Sequence, residues 1–196
     1  MYQLSNLNRF IVLLFILTVS TTFSQSKYKT TDSREITKKL GEYTTSSKSS
    51  LSENLFDIPK FSHTASLYKI INFEELIKNE EMVTVFISDN NAFAHLSEKE
   101  RKGLLSASNK EQLKEIVSYY IIPGRVDEHS IRKAISDGNG SASFRTLNGK
   151  TIRFLLEDYQ IYLYTDNGSK SKLMETNFRH NKGFFHLTDG FAIPQK

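Results

Sequence analysis

From Leu51 onward apolar residues recur with a helical period, and beyond residue 135 they recur with a strand period. Phe61, Ala65, Tyr68 and Ile71, joined by Leu67, fall at three- and four-residue spacing after Pro59 and behind Ser62, which predicts a capped amphipathic helix over 62–71. Asn72 with Glu75 three positions on is a capping-box variant opening a second short helix at "FEELIKN". The stretch "TVFISDNNAF" then changes character within ten residues. Thr84, Val85, Phe86 and Ile87 suit a pleated core surface, so a strand is expected over 83–87, whereas Ser88, Asp89, Asn90 and Asn91 are helix-capping residues. Asp89 is the expected cap of a short helix whose inward side is Ala92, Phe93 and Leu96.

Ser97 with Glu100 and Ser108 with Glu111 repeat the capping-box spacing and predict helices near 98–105 and 109–119. "YYIIPGRV" reads as a helix end and a short strand broken at Pro123-Gly124, and Asp127 caps a helix near 128–135. In the strand-period half, "TIRFLL" and "YQIYLYT" alternate about Glu157-Asp158 as a hairpin, with Ile152, Phe154, Leu156 and Tyr159, Ile161, Leu163 on the apolar sides. "LMETNF" is expected as a further strand after the turn Asp166-Asn167-Gly168, and "GFFHLTDGFAI" as two short strands about Asp189-Gly190. Helices first and strands later give an α+β class rather than a parallel βαβ fold.

The first fifty residues lack this patterning. Arg9, the apolar run "FIVLLFILTV" and the small residues Thr22 and Ser24 before Gln25 form a secretory signal pattern, cleaved after Ser24. The run is shorter than the roughly 18–20 apolar residues that span a bilayer. Residues 25–50 are rich in Ser, Thr and Lys and read as a flexible tether, with Ile36 and Leu40 able to form at most one helical turn. Residues 51–196 form the single domain, which is the size one core can support. The chain contains no cysteine, so neither disulfides nor a lipidated cysteine enters the picture.

A formal charge of +4 at pH 7 hints at polyanion binding until it is located. The excess lies in the first fifty residues; residues 51–196 carry 19 basic and 19 acidic side chains. A balanced body is a poor nucleic-acid binder, because phosphate affinity needs clustered positive charge, and no nucleic-acid partner is expected.

Catalytic patterns are equally thin. His63, His95, His129, His180 and His186 show neither HExxH nor an i, i+4 metal pair, and no metal or cofactor is expected. His180 and His186 flank a turn and could meet at one metal. GxSxG is absent, and the Ser-x-x-Lys spacings at Ser66/Lys69 and Ser130/Lys133 arise readily by chance in such a Ser- and Lys-rich chain. Glu74-Glu75, Glu80-Glu81 and Glu157-Asp158 read as solvated surface, and His186 as a hydrogen-bonded core histidine. Tyr162 and Tyr164 share a strand face, and Tyr119-Tyr120 lie at a helix end, where they are a candidate interaction surface. Asn139-Gly140-Ser141 and Asn167-Gly168-Ser169 match glycosylation acceptors but are equally ordinary turns.

Three of these stretches, in this order, resemble the boxes of fasciclin-like domains. The first is Thr84, Val85, Phe86, Asn90 or Asn91, Ala92 and Phe93, with Asp89 in the capping position. The second is Tyr119, Ile121, Ile122, Pro123, Gly124, Arg125 and Val126. The third is Asn181, Gly183, Phe184, Phe185, His186, Asp189, Gly190, Ile193 and Pro194. The resemblance implies a fasciclin-like β-wedge or sandwich of short strands with a layer of several short helices, in which the 84–87 strand lies beside the final box. It also implies an extracytoplasmic adhesion or protein-interaction module without catalysis, secreted or held in the periplasm or cell envelope. The expected partner is an extracellular or envelope protein or a glycan; the alternative is carriage of a small hydrophobic ligand or glycan in a cleft between wedge and helices. Ile87 and Ser88 replace the family's small residue and proline, and Tyr120 replaces its histidine in a region linked to integrin contacts. With no Arg-Gly-Asp present either, integrin binding is not carried over.

Overall fold

The computed structural model describes residues 34–94, 96–104 and 106–191. The signal pattern over 1–24, the first part of the tether, His95, and Ile193 and Pro194 of the last box lie outside the described residues.

The fold is α+β, and its centre is β3 (Val83–Ser88), in which all six residues are buried. A strand buried on both faces must be apolar or internally bonded throughout, and "VTVFIS" meets that with small hydroxyl side chains at Thr84 and Ser88. β3 pairs antiparallel with β4 (Ile121–Pro123) and parallel with β10 (Gly183–Thr188), which in turn pairs antiparallel with β9 (Phe178–His180). The resulting order is β4-β3-β10-β9. The register sets Phe86 beside His186 and Val85 beside Phe185, so the first and last boxes are neighbours, as the resemblance implied. Gly183 is required at the start of β10: its φ is 138°, and a Cβ there would sit 2.2 Å from the Val83 carbonyl oxygen.

A second, antiparallel sheet runs β5-β6-β7-β8, from β5 (Ser141–Arg145) and β6 (Thr151–Glu157) to β7 (Gln160–Tyr164) and β8 (Lys170–Lys172). Alternation sends Ile152, Phe154, Ile161 and Leu163 inward, where the Phe154 ring lies 5.2 Å from that of Phe86. The helices are short: α1 (Leu51–Phe56), α2 (Ser62–Ile71), α3 (Phe73–Leu76), α4 (Glu98–Leu104), α5 (Lys110–Tyr119) and α6 (Glu128–Asp137). Asp127 caps α6 by accepting from the Ser130 N–H at 2.8 Å, and Asp89 caps a 3₁₀ turn, Asn90–Phe93, by accepting from Asn91 at 2.9 Å.

Several expectations need correction. Residues 35–50 are not a tether: β1 (Thr37–Leu40) and β2 (Tyr43–Ser46) form a hairpin, Leu40 is fully buried, and Thr45 bonds the Lys38 carbonyl at 3.0 Å. The capping boxes expected at Asn72 and Ser108 do not form. Asn72 takes the left-handed conformation with no cap bond, and the Ser108 hydroxyl meets that of Ser106. A capping box does form at Ser50–Glu53, ahead of α1. Ser62 does not cap α2 either; the Asn90 side chain accepts from the His63 N–H at 3.0 Å from 27 residues away. "LMETNF" is not a strand: Leu173 makes an isolated bridge to Thr188, and the pairing strand β9 begins at Phe178. Among the described residues Asp189-Gly190 closes one strand, β10, rather than joining two.

Candidate functional site

The three boxes converge on the β4-β3-β10 ribbon, and their polar groups are turned to backbone. Thr84 is buried inside β3, donates to the Gly124 carbonyl at 2.9 Å and accepts from the Val126 N–H at 2.8 Å. Its hydroxyl therefore fixes the turn after Pro123, which Gly124 completes at φ 102° by donating to the Met82 carbonyl. Val85 is fully buried, and the Phe93 ring stacks on Phe191 at 4.8 Å. Asp189 accepts from the Lys172 N–H at 2.7 Å, tying the final box to the edge of the second sheet. Gly190 is needed beside it, because a Cβ there would fall 2.4 Å from the Ser171 hydroxyl.

His186 is fully buried, with Nε2 2.9 Å from the Val126 carbonyl and Nδ1 accepting from the Asn177 N–H at 3.2 Å. That pair of partners requires the neutral Nε2–H tautomer. Burial lowers its pKa from 6.5 to about 4, opposed in part by the Val126 carbonyl and by the Glu128 and Asp127 carboxylates. His180 is also buried; its Nδ1 takes a long 3.4 Å bond from the Lys182 N–H, while Nε2 has no hydrogen-bond partner. Desolvation lowers its pKa to about 4 as well. The two rings stand on adjacent strands but on opposite faces, because His180 pairs with Gly183 and His186 lies three residues beyond it. Among the described residues no three His, Asp or Glu side chains are grouped to hold a metal.

The chance Ser-Lys spacings do not become dyads. Ser130 bonds Asp127 while Lys133 pairs with Asp137, and Ser66 bonds the Ser62 carbonyl within its helix. Tyr119 and Tyr120 are not an interaction surface. Both are buried; the Tyr119 hydroxyl donates to the Thr151 carbonyl and accepts from the Asp166 N–H, and the Tyr120 ring stacks on Phe191 at 5.4 Å. A helix followed directly by a core strand leaves both rings inside, which the Tyr-Tyr pair alone does not reveal. Between α2, β3 and α5, in the cleft where a ligand was conceivable, the cavity lined by Leu67, Phe86, Phe93, Tyr120 and Phe191 measures about 20 Å³, room for one water.

Two groups escaped sequence reasoning. Ser88, at the position of the family's proline, bonds both Thr188 at 2.8 Å and the Gly190 carbonyl at 2.6 Å, clasping the ends of β3 and β10. Lys182 donates to the carbonyls of Ile77, Lys78 and Glu80, each at 2.9 Å, and so satisfies the chain leaving α3 with a single ammonium. Spacing carries a signal for neither, since both partners lie about 100 residues away. Large apolar side chains do reach solvent at Phe56, Leu156, Tyr159 and Met174, and no described helix is long and apolar enough to cross a membrane.

The comparisons agree with this architecture. The fasciclin domain model matches residues 59–194. Protein sll1483 of Synechocystis sp. is 24% identical over 134 residues, 68% of this chain and 67% of that protein. The FAS1 domain pair from the insect cell adhesion molecule fasciclin I aligns with a TM-score of 0.63 and 14% identity, over 81% of this chain and 66% of the pair. At that identity the likeness is one of fold, and the chain spans about two thirds of the length of the pair.

Proposed function

The chain belongs to the fasciclin domain family, and from that premise we propose that it is a non-catalytic adhesion or protein-interaction module working outside the cytoplasm. Fasciclin domains serve as adhesion and interaction modules and are generally not enzymes. The observation that carries the reading here is the engagement of the box side chains: Thr84, Ser88, Tyr119, His186 and Asp189 each bond backbone groups of the core. A general base or nucleophile needs a group free to meet substrate, and these are not free. The 20 Å³ cavity argues against carriage of a hydrophobic ligand in that cleft, since binding sites for small molecules run to roughly 300 Å³ or more. The export pattern over residues 1–24 supports the location.

The test is saturable adhesion of beads carrying the mature protein to envelope or matrix fragments, run beside a screen for esterase, glycosidase and peptidase turnover. Saturable adhesion without turnover is the expected result. Turnover that is abolished by His186→Ala at unchanged stability would replace this reading with an enzymatic one.

A further inference from the structure

The outward face of the β5–β8 sheet carries more cations than carboxylates to pair them, and one of these cations, Arg153, lies only over the Tyr164 ring at 5.8 Å. While Ile152, Phe154, Ile161 and Leu163 point into the core, the alternate residues of the same strands point away, with Arg153 exposed and Leu155, Tyr162 and Tyr164 half-buried. The register lays them out as a grid. Arg153, Tyr164 and Lys170 form one row across β6, β7 and β8, and Leu155, Tyr162 and Lys172 form the next. Neighbouring strands are about 4.8 Å apart and successive outward residues about 7 Å apart, so Arg153 and Lys172 stand roughly 12 Å from each other on a rigid surface.

Charge on this grid is unbalanced. Lys170 is matched, since its ammonium meets Glu157 and lies 3.9 Å from the Tyr162 ring centroid, and the Tyr164 hydroxyl donates to the same Glu157. Arg145, Arg153 and Lys172 have no carboxylate within salt-bridge distance among the described residues, although they occupy three different strands of one face. Balanced overall charge over residues 51–196 therefore conceals a local positive field. Besides the Glu157 carboxylate, held by Lys170, and that of Asp189, held by the Lys172 N–H, the hydrogen-bonding groups around these cations are hydroxyls: Ser141 and Ser143 on β5 end the same two rows, and Tyr162 lies between Leu155 and Lys172.

Accepting the adhesion reading, we propose that this face binds an acidic polysaccharide, its carboxylates or sulfates taken by Arg145, Arg153 and Lys172 and its hydroxyls by the neighbouring serines and tyrosine. An acidic peptide fits less well. The free edge of β8 is closed by Asp189, which accepts from the Lys172 N–H and donates to its carbonyl, so a peptide cannot add a strand there. The grid also offers no apolar pocket for an anchoring side chain, its one aliphatic member being Leu155. A sugar polyanion needs neither.

The test uses the mature protein and four immobilised probes: polygalacturonate, dextran sulfate, neutral dextran and polyglutamate, with duplex DNA as a fifth. Retention on either acidic polysaccharide, little on neutral dextran, weaker retention on polyglutamate and DNA, and release on raising salt tenfold are expected. Arg153→Glu with Lys172→Glu should weaken polysaccharide binding by about tenfold or more, while Lys69→Glu with Lys110→Glu, an equal change in net charge on the helices, should leave it nearly unchanged. All four positions are on the surface, and matching melts verify that both variants fold. No retention on either acidic polysaccharide, equal loss in the two variants, or tighter binding of polyglutamate or DNA would overturn the proposal. If the beads still adhere to envelope fragments while polysaccharide binding fails, only this inference falls. If adhesion itself is absent, the adhesion reading falls with it.

Discussion

At the scale of single residues, the two buried histidines make stability depend on pH. Each is neutral in the fold with a pKa near 4, against 6.5 unfolded. The sign follows from linkage: the unfolded chain binds protons first, so stability is complete above about pH 6.5 and declines as pH falls towards 4. By pH 5 each ring forfeits on the order of 2 kcal/mol. The lowered carboxylates Asp127 and Glu128, held by the Ser130 N–H and the Thr176 hydroxyl, have ordinary values of 3.8 and 4.5 and therefore act below the main histidine window. Urea melts should show a plateau at pH 7–8 and a fall between pH 6.5 and 5, and a flat profile there would refute neutral burial. His180→Leu should gain on the wild type as pH drops through that window, because it removes one of the two rings that the unfolded chain protonates first. His186→Ala should cost about 1–3 kcal/mol at pH 7 through two lost hydrogen bonds and a cavity. Sequence spacing conveyed that His186 belongs to a packed box. It could not convey His180, whose burial arises from pairing across β9 and β10.

At the scale of elements, the chain was legible where local signals agree with the packing and illegible where distant groups supply them. Asp89 and Asp127 cap as their spacing implies, and the β6–β7 hairpin follows its alternation. The start of α2 was misread because its cap arrives from Asn90, and the β1–β2 hairpin was missed because only Leu40 and Thr45 of its eight strand residues are buried. So polar a ribbon is stable through what it lies on, with Lys38 placed over the Phe178 ring at 4.3 Å. Leu40→Ala should then destabilise the whole domain by about 2–4 kcal/mol, as for a core leucine. A loss below about 0.5 kcal/mol would return this segment to the status of a tether. The β6–β7 turn invites the opposite change. Asp158 and Tyr159 both have positive φ, at 47° and 62°, the arrangement that Asn-Gly suits best, and the Tyr159 side chain is 87% exposed. Tyr159→Gly should raise stability by about 0.5–1 kcal/mol in equilibrium unfolding, and a decrease would show that the ring packs on the protein.

For the whole molecule, the order of the chain matters more than any one contact. β3 is central, yet one of its two partners is made by the last described residues, about 100 positions later. A chain ending at His180 lacks β10, leaves one edge of β3 unpaired and removes Phe185 and His186 from the core, so no cooperative unfolding transition is expected from it. Near-normal cooperative unfolding of that chain would contradict the architecture. The three boxes made this closure legible in the sequence, whereas the wet face of the second sheet was visible only as two tyrosines in alternation. The central claim is that the box residues build the scaffold while an outer surface does the binding. It is tested most directly by adhesion of His186→Ala to envelope fragments, measured well below its melting temperature beside the wild type. A lowered melting temperature with saturation at an unchanged protein concentration is the expected result. Lost adhesion at an unchanged melting temperature would contradict it.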